Sequence, residues 1–99
     1  MEFQAPSANG FTVYSKSKCD HCVQLKEHLK SKHLLFQEVV CDDYLTLNRD
    51  AFLSFLQERT QGRKHTTFPM VFYNGFFVGG REDTEKYVGA MLLSFDELF

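Results

Sequence analysis

Apolar and polar positions along the chain repeat with two different periods, and the changes of period mark out seven elements. Phe11-Thr12-Val13-Tyr14 alternates with a period of two and is rich in strand-forming side chains, which predicts a first strand. After Cys22 the spacing lengthens. Cys22, Val23, Leu25 and Leu29 gather on one side and Lys26, Glu27 and Lys30 on the other, which predicts an amphipathic helix ending near His33. Leu35 to Cys41 reads as a second strand, closed by Asp42-Asp43. A helix between two strands allows the right-handed crossover, so the two strands should pair in parallel. Asn48 to Arg59 carries Phe52, Leu53, Phe55 and Leu56 with no proline or glycine to interrupt it, which predicts a second helix. Gln61-Gly62-Arg63-Lys64-His65 is then a polar, basic connection.

The run from Phe68 to Gly80 is the sharpest local signal. Asn74-Gly75 stands between two apolar runs, and both positions of a two-residue hairpin turn need positive φ, so an antiparallel hairpin is expected. Gly79-Gly80 ends it, Asp83 or Thr84 can cap a last helix, and Tyr87, Val88, Met91 and Leu92 supply that helix with a buried face. The order β-α-β-α-β-β-α predicts an α/β fold, a small four-stranded mixed sheet flanked by helices. Residues 1–10 read as a lead-in, with Phe3 able to tuck against the body, and residues 11–99 as one domain.

Composition sharpens this only in part. The chain has 99 residues, 43% of them hydrophobic, enough for one compact core; eleven phenylalanines and no tryptophan make that core aromatic. A net charge of −2 offers no basic stripe for nucleic acid. No run approaches the ~20 apolar residues of a membrane span, and Met1 to Gly10 lacks the pattern of a signal peptide. Three cysteines suit a reducing compartment better than a disulfide framework, so the cytosol is the expected address.

The cysteines carry the chemistry. Cys19-Asp20-His21-Cys22 lies at the junction of the first strand and first helix, where a close pair is either a redox couple or half of a metal site. At a helix N-terminus several N–H groups lack helical partners. They and the helix dipole favour a thiolate by about 0.3–1 kcal/mol, up to ~2 in sheltered geometry. Cys19 is therefore expected to be the reactive sulfur, and Cys22, one turn further in, the resolving one. Cys41 reads as a small apolar side chain rather than a redox partner. His28, His33 and His65 read as surface residues.

Three ordered segments resemble the glutaredoxins, within the thioredoxin fold, over roughly Phe11 to Leu93. They are Tyr14-Ser-Lys-Ser-Lys-Cys-Asp-His-Cys22, Thr67-Phe-Pro-Met-Val-Phe72 and Gly75-Phe-Phe-Val-Gly-Gly-Arg-Glu-Asp83. The resemblance implies reduction of protein disulfides and protein–glutathione mixed disulfides, with glutathione as electron-donating co-substrate, no tightly bound cofactor and a monomer. By the same resemblance Cys19 is the nucleophile and Cys22 the resolving thiol. Pro69 matches a cis-proline, with the preceding Phe68 offering its backbone to the glutathione cysteinyl part, and Thr67 is counted with the glutathione-binding residues. Lys16 matches the lysine that pairs with a glutathione carboxylate. Gly80, Glu82 and Asp83 match the loop and helix start that hold the γ-glutamyl end. Gln61 or Arg63 is a candidate for the glycyl carboxylate.

The chain departs from the family pattern between its cysteines, where Asp20 and His21 replace the usual proline and aromatic residue. His21 is counted with the glutathione-binding residues, and a hydrogen bond or positive charge from it would stabilise the Cys19 thiolate, while Asp20 opposes this. Loss of the proline also opens a rival reading, a [2Fe–2S] cluster shared between two subunits through Cys19 and glutathione. Zinc on Cys19, His21 and Cys22 alone is disfavoured by the strained chelate of adjacent residues.

Overall fold

The computed structural model describes residues 2–97 and contains β1 (Phe11–Ser15), α1 (Asp20–Ser31), β2 (Phe36–Val40), α2 (Asp42–Gln57), β3 (Met70–Tyr73), β4 (Phe76–Gly79) and α3 (Arg81–Glu97). The last two residues assigned to the domain, Leu98 and Phe99, lie outside the described residues. The sheet order is β2-β1-β3-β4. β1 pairs in parallel with β2, from Phe11 opposite Phe36 to Ser15 opposite Val40. It pairs antiparallel with β3, and β3 and β4 form the hairpin expected from Asn74-Gly75, whose φ values are 52° and 85°. This is the four-stranded mixed sheet of the thioredoxin-like fold, in the order β-α-β-α-β-β-α.

The period of two in β1 sorts its side chains to two cores. Phe11 and Val13 join Leu25, Leu29, Val71 and Val88 on the face covered by α1 and α3. Tyr14 points the other way, among Val39, Cys41, Phe52, Leu56, Met70, Phe72 and Phe77, beneath α2. Truncating a fully buried anchor such as Phe52 or Leu25 to alanine should cost about 2–5 kcal/mol. The lead-in belongs to this second core. The Phe3 ring lies 5.2 Å from those of Tyr44 and Phe52, and the Tyr14 hydroxyl donates to Gln4 O at 2.6 Å.

Two elements differ from expectation. Helix α2 begins at Asp42 rather than Asn48, because Asp42 and Asp43 suit a helix first turn and Leu45 N closes onto Cys41 O at 2.9 Å. Asn48 leaves helical geometry (φ −158°, ψ 62°) and kinks the element, so the apolar run from Asn48 onward is its second half. Helix α3 begins at Arg81, which puts Asp83 and Thr84 inside its first turn instead of at its cap. Thr84 is buried, and its hydroxyl donates back to Gly80 O at 2.7 Å. With that phase Val88 faces the core, while Tyr87 is 40% exposed. Among the described residues no helix is long and apolar enough to cross a membrane.

Candidate active site

β1 ends at Ser15, and Lys16–Lys18 carry the chain to Cys19, with Lys18 at a φ of 53°. Cys19 is the N-cap of α1 in extended geometry, and its sulfur accepts the Cys22 N–H at 3.2 Å. A donor that has no partner within the helix is thus spent on the sulfur. Cys19 is half-buried and Cys22 is 1% exposed. The two are joined as a disulfide with their Cα atoms 5.3 Å apart. The approach loop is held from a second element: Ser17 N donates to Asp42 Oδ1 at 2.9 Å, and Cys41 N donates to Ser15 O at 2.8 Å. The Ser17 hydrogen bonds hold the Asp42 carboxyl below the usual range, with Lys16 adding to them.

A groove of about 360 Å3 opens beside the pair. His21 from α1, Thr67, Phe68 and Pro69 before β3, and Gly80, Glu82 and Asp83 at the start of α3 all line it, so seven of the residues singled out from sequence come together. The Phe68–Pro69 peptide is cis, and Phe68 O stands 3.7 Å from the Cys19 sulfur. In α3 the first helical bond is Thr84 N to Gly80 O, so the N–H groups of Arg81, Glu82 and Asp83 precede the ladder and are left for an anion. Gly79 has a φ of 136°, and a Cβ there would run into the Asp83 carboxylate, so only glycine lets the strand turn so closely into the helix.

Three of the sequence candidates sit differently. Lys16 lies outside the groove lining, exposed, with Nζ 5.7 Å from the centroid of the Phe68 ring. Arg63 is committed to β4 and α3: it donates to Val78 O at 3.0 Å and to Asp83 Oδ2 at 3.1 Å, and lies over the Phe77 ring. Gln61 Oε1 accepts from Phe77 N at 3.3 Å. The Asp83 carboxylate therefore faces the groove already paired. A larger groove, of about 770 Å3, runs along Phe76, Phe77 and Tyr87 and shares Asp83 with the first, but contains neither His21 nor the residues around Pro69.

Sequence reading passes over Arg81 and places His65 on the surface, whereas both complete the groove and His65 is half-buried there; it also passes over Asp42, which holds the loop. The signal for Arg81 was present in its position directly after Gly79-Gly80; Asp42 had only the Asp42-Asp43 pair, which reads equally well as a strand end. Among the described residues no group of three or more His, Cys, Asp or Glu side chains is placed to hold a metal ion.

Comparison with known proteins agrees with this geometry. A family model described as Glutaredoxin matches residues 11–78. The chain is 34% identical over 90 residues to the hybrid peroxiredoxin hyPrx5 of Haemophilus influenzae, covering 88% of this chain and 34% of that protein. It is 31% identical over 80 residues to the mitochondrial glutaredoxin-2 of Pongo abelii, covering 81% of this chain and 47% of that one. The chain thus spans about a third to a half of the length of these curated relatives. Among solved structures it is similar to a wheat glutaredoxin, with a TM-score of 0.69 and 30% identity over 88% of this chain and 79% of that one. It is also similar to a buckwheat glutaredoxin in complex with glutathione, with a TM-score of 0.67 and 27% identity over 89% of this chain and 76% of that one. The chain belongs to the glutaredoxin family, as a dithiol member of the thioredoxin fold whose cysteine pair is Cys19 and Cys22.

Proposed function

We propose that the chain is a glutathione-dependent thiol–disulfide oxidoreductase that reduces protein disulfides and protein–glutathione mixed disulfides. The observation that carries this reading is the Cys19 sulfur, half-buried at a helix N-cap, accepting the Cys22 N–H at 3.2 Å and standing beside the Phe68 end of a groove with free N–H groups. In the reduced enzyme the Cys19 thiolate attacks the glutathionyl sulfur of a mixed disulfide. The new bond joins Cys19 to glutathione, and the protein thiolate leaves and takes a proton from water. A second glutathione thiolate then attacks the glutathionyl sulfur, frees Cys19 and leaves as glutathione disulfide. With a protein disulfide, Cys19 forms a mixed disulfide with one substrate sulfur. The other substrate sulfur leaves as a thiolate at that step; Cys22 then attacks the Cys19 sulfur and expels the substrate sulfur held on it, which gives the Cys19–Cys22 bond seen here. Two glutathiones return it to the dithiol.

The groove suits the co-substrate. The backbone beside Pro69 meets the cysteinyl part, the first-turn N–H groups of α3 meet the γ-glutamyl carboxylate, and Glu82 suits its ammonium. Lys16, exposed beside the Phe68 ring, is read as the partner of the glycyl carboxylate. The similarity to a buckwheat glutaredoxin that was crystallised with glutathione supports glutathione as the ligand. We read the chain as a cytosolic monomer without a tightly bound cofactor, a setting that suits a dithiol pair reduced by glutathione.

A glutathione reductase-coupled assay on a glutathionylated peptide tests the reading. Turnover should require glutathione and saturate with the peptide. Reduction that proceeds equally well with an unrelated monothiol, or no turnover by the reduced protein, overturns it.

A further inference from the structure

Arg81 opens α3 and reaches across to α1. Its Nη1 lies 3.2 Å from His21 Nδ1 and also donates to Gln24 Oε1, while its Nε donates to Glu85 Oε2 at 3.1 Å. A guanidinium has only donors and keeps its charge. The ring nitrogen that faces it must therefore be an acceptor, which puts the imidazole proton on Nε2 and leaves the ring neutral in this contact. His21 and Arg81 line the same groove, and among the described residues His21 Nε2 has no protein partner.

We propose that Arg81 is a positioning residue for His21: it clamps the ring to the seam between α1 and α3 so that Nε2–H is presented to the groove as a neutral donor for a carbonyl or carboxylate oxygen of the glutathionyl substrate. The part of this concerning the occupant rests on the function proposed above; the clamp itself does not. It gives the unusual residue between the cysteines a task other than the one its position suggests. The Cys19 sulfur takes its hydrogen bond from Cys22 N, and His21 is turned by Arg81 toward substrate binding. Arg81 and His21 are then two halves of one device, and either substitution alone should disable it.

The test has two arms on the full chain. In the first, 15N spectra of the histidine-labelled reduced protein should show His21 with Nδ1 unprotonated and Nε2 protonated, and Arg81→Ala should move both signals toward a mixture of tautomers. In the second, Arg81→Ala and His21→Ala should each raise KM for a glutathionylated peptide by about threefold to tenfold, the worth of one hydrogen bond, with kcat little changed. The double variant should be no worse than either single, and Arg81→Lys should recover part of the loss. Gln24→Ala and Glu85→Ala remove the other two Arg81 contacts and should stay within about twofold of the parent, since neither side chain lines the groove. Unchanged His21 signals in Arg81→Ala, or single losses that multiply in the double variant, overturn the proposal. The spectra need no turnover. Failure of the clamp is therefore seen apart from failure of the glutathione reading, which would show as an inactive parent protein with normal His21 signals.

Discussion

Cys19 and Cys41 hold the same place in two successive strand–helix units. Each follows a strand of the parallel pair, stands at the N-cap of the next helix and precedes an aspartate. Their environments are opposite. Cys19 takes an extended cap geometry (φ −126°, ψ 100°) that puts its sulfur over the first turn, where Cys22 N meets it. Cys41 has φ −96° and ψ 3°, makes no side-chain cap bond, and sends its sulfur into the core, 3.4 Å from Val39 O and fully buried among Tyr14, Phe52 and Met70. Burial pushes its thiol up to about 12, with Asp42 adding to the effect. A helix N-terminus favours an anion by ~2 kcal/mol at most, about one and a half pKa units. Desolvation of a fully buried group reaches 3–5 units, so it wins at Cys41. On this comparison, what favours a thiolate at a helix-capping cysteine is a cap geometry that leaves its sulfur half-exposed and within reach of an N–H.

The largest expected effect comes from removing the sulfur on the reactive side. Cys19→Ser should lower turnover of a glutathionylated peptide by more than about a hundredfold, since no other thiolate can start the exchange. Cys22→Ser should keep much of that activity and lose reduction of protein disulfides. Survival of Cys19→Ser, or equal loss in both variants, would break the division of roles. On the inert side the cost should appear in stability alone. Cys41→Ser buries a hydroxyl in an apolar core and should destabilise by about 1–3 kcal/mol, with activity per folded molecule unchanged. Iodoacetamide should label Cys19 of the reduced native protein and reach Cys41 only in denaturant, as read by peptide mass. The raised Cys41 value also fixes a sign. The folded state holds that proton more tightly than the unfolded chain, so the stabilisation is full below the ordinary thiol value of 9.0 and declines as pH rises from there to about 12.

Where a residue's task is set by its own backbone or by a fixed spacing, it was legible in the sequence. Asn74-Gly75 announces the hairpin through its φ requirement, Pro69 and the Gly79-Gly80 pair announce the groove, and Cys19 and Cys22 announce the chemistry. Periodicity found the buried stripes of α1 and of the second half of α2, because Leu25, Leu29, Phe52 and Leu56 are what the core takes up. It overlooked the polar first half of α2, which is helical through its acidic start, and it overran β2 at Leu35, which is 92% exposed. Contacts that cross between distant elements left no trace in spacing. Arg63 with Asp83, Arg81 with His21, and the Asp42 carboxylate with the Ser17 backbone N–H join groups that only the folded chain brings within 3.2 Å.

The two aspartates refine the comparison at its smallest effect. Asp20 is exposed in the first turn of α1, whereas Asp42, from the unit of the buried cysteine, reaches back to Ser17 in the loop that leads to Cys19. That loop already contains Lys18 at positive φ, a conformation non-glycine residues hold only when their surroundings fix it. Asp42→Ala should therefore lower kcat/KM for a glutathionylated peptide by about threefold to tenfold, the range for one lost hydrogen bond. Asp42→Asn keeps an acceptor oxygen and should restore most of it. The Ser17 bonds hold the Asp42 carboxyl low, so its contribution is fully present above the ordinary carboxylate range and disappears as pH falls through the depressed folded value. Thermal melts of the parent and Asp42→Ala proteins should accordingly converge in acid. If Asp42→Asn behaves like Asp42→Ala, the negative charge near Lys16 matters more than the hydrogen bond to Ser17, and the link between the two units is electrostatic.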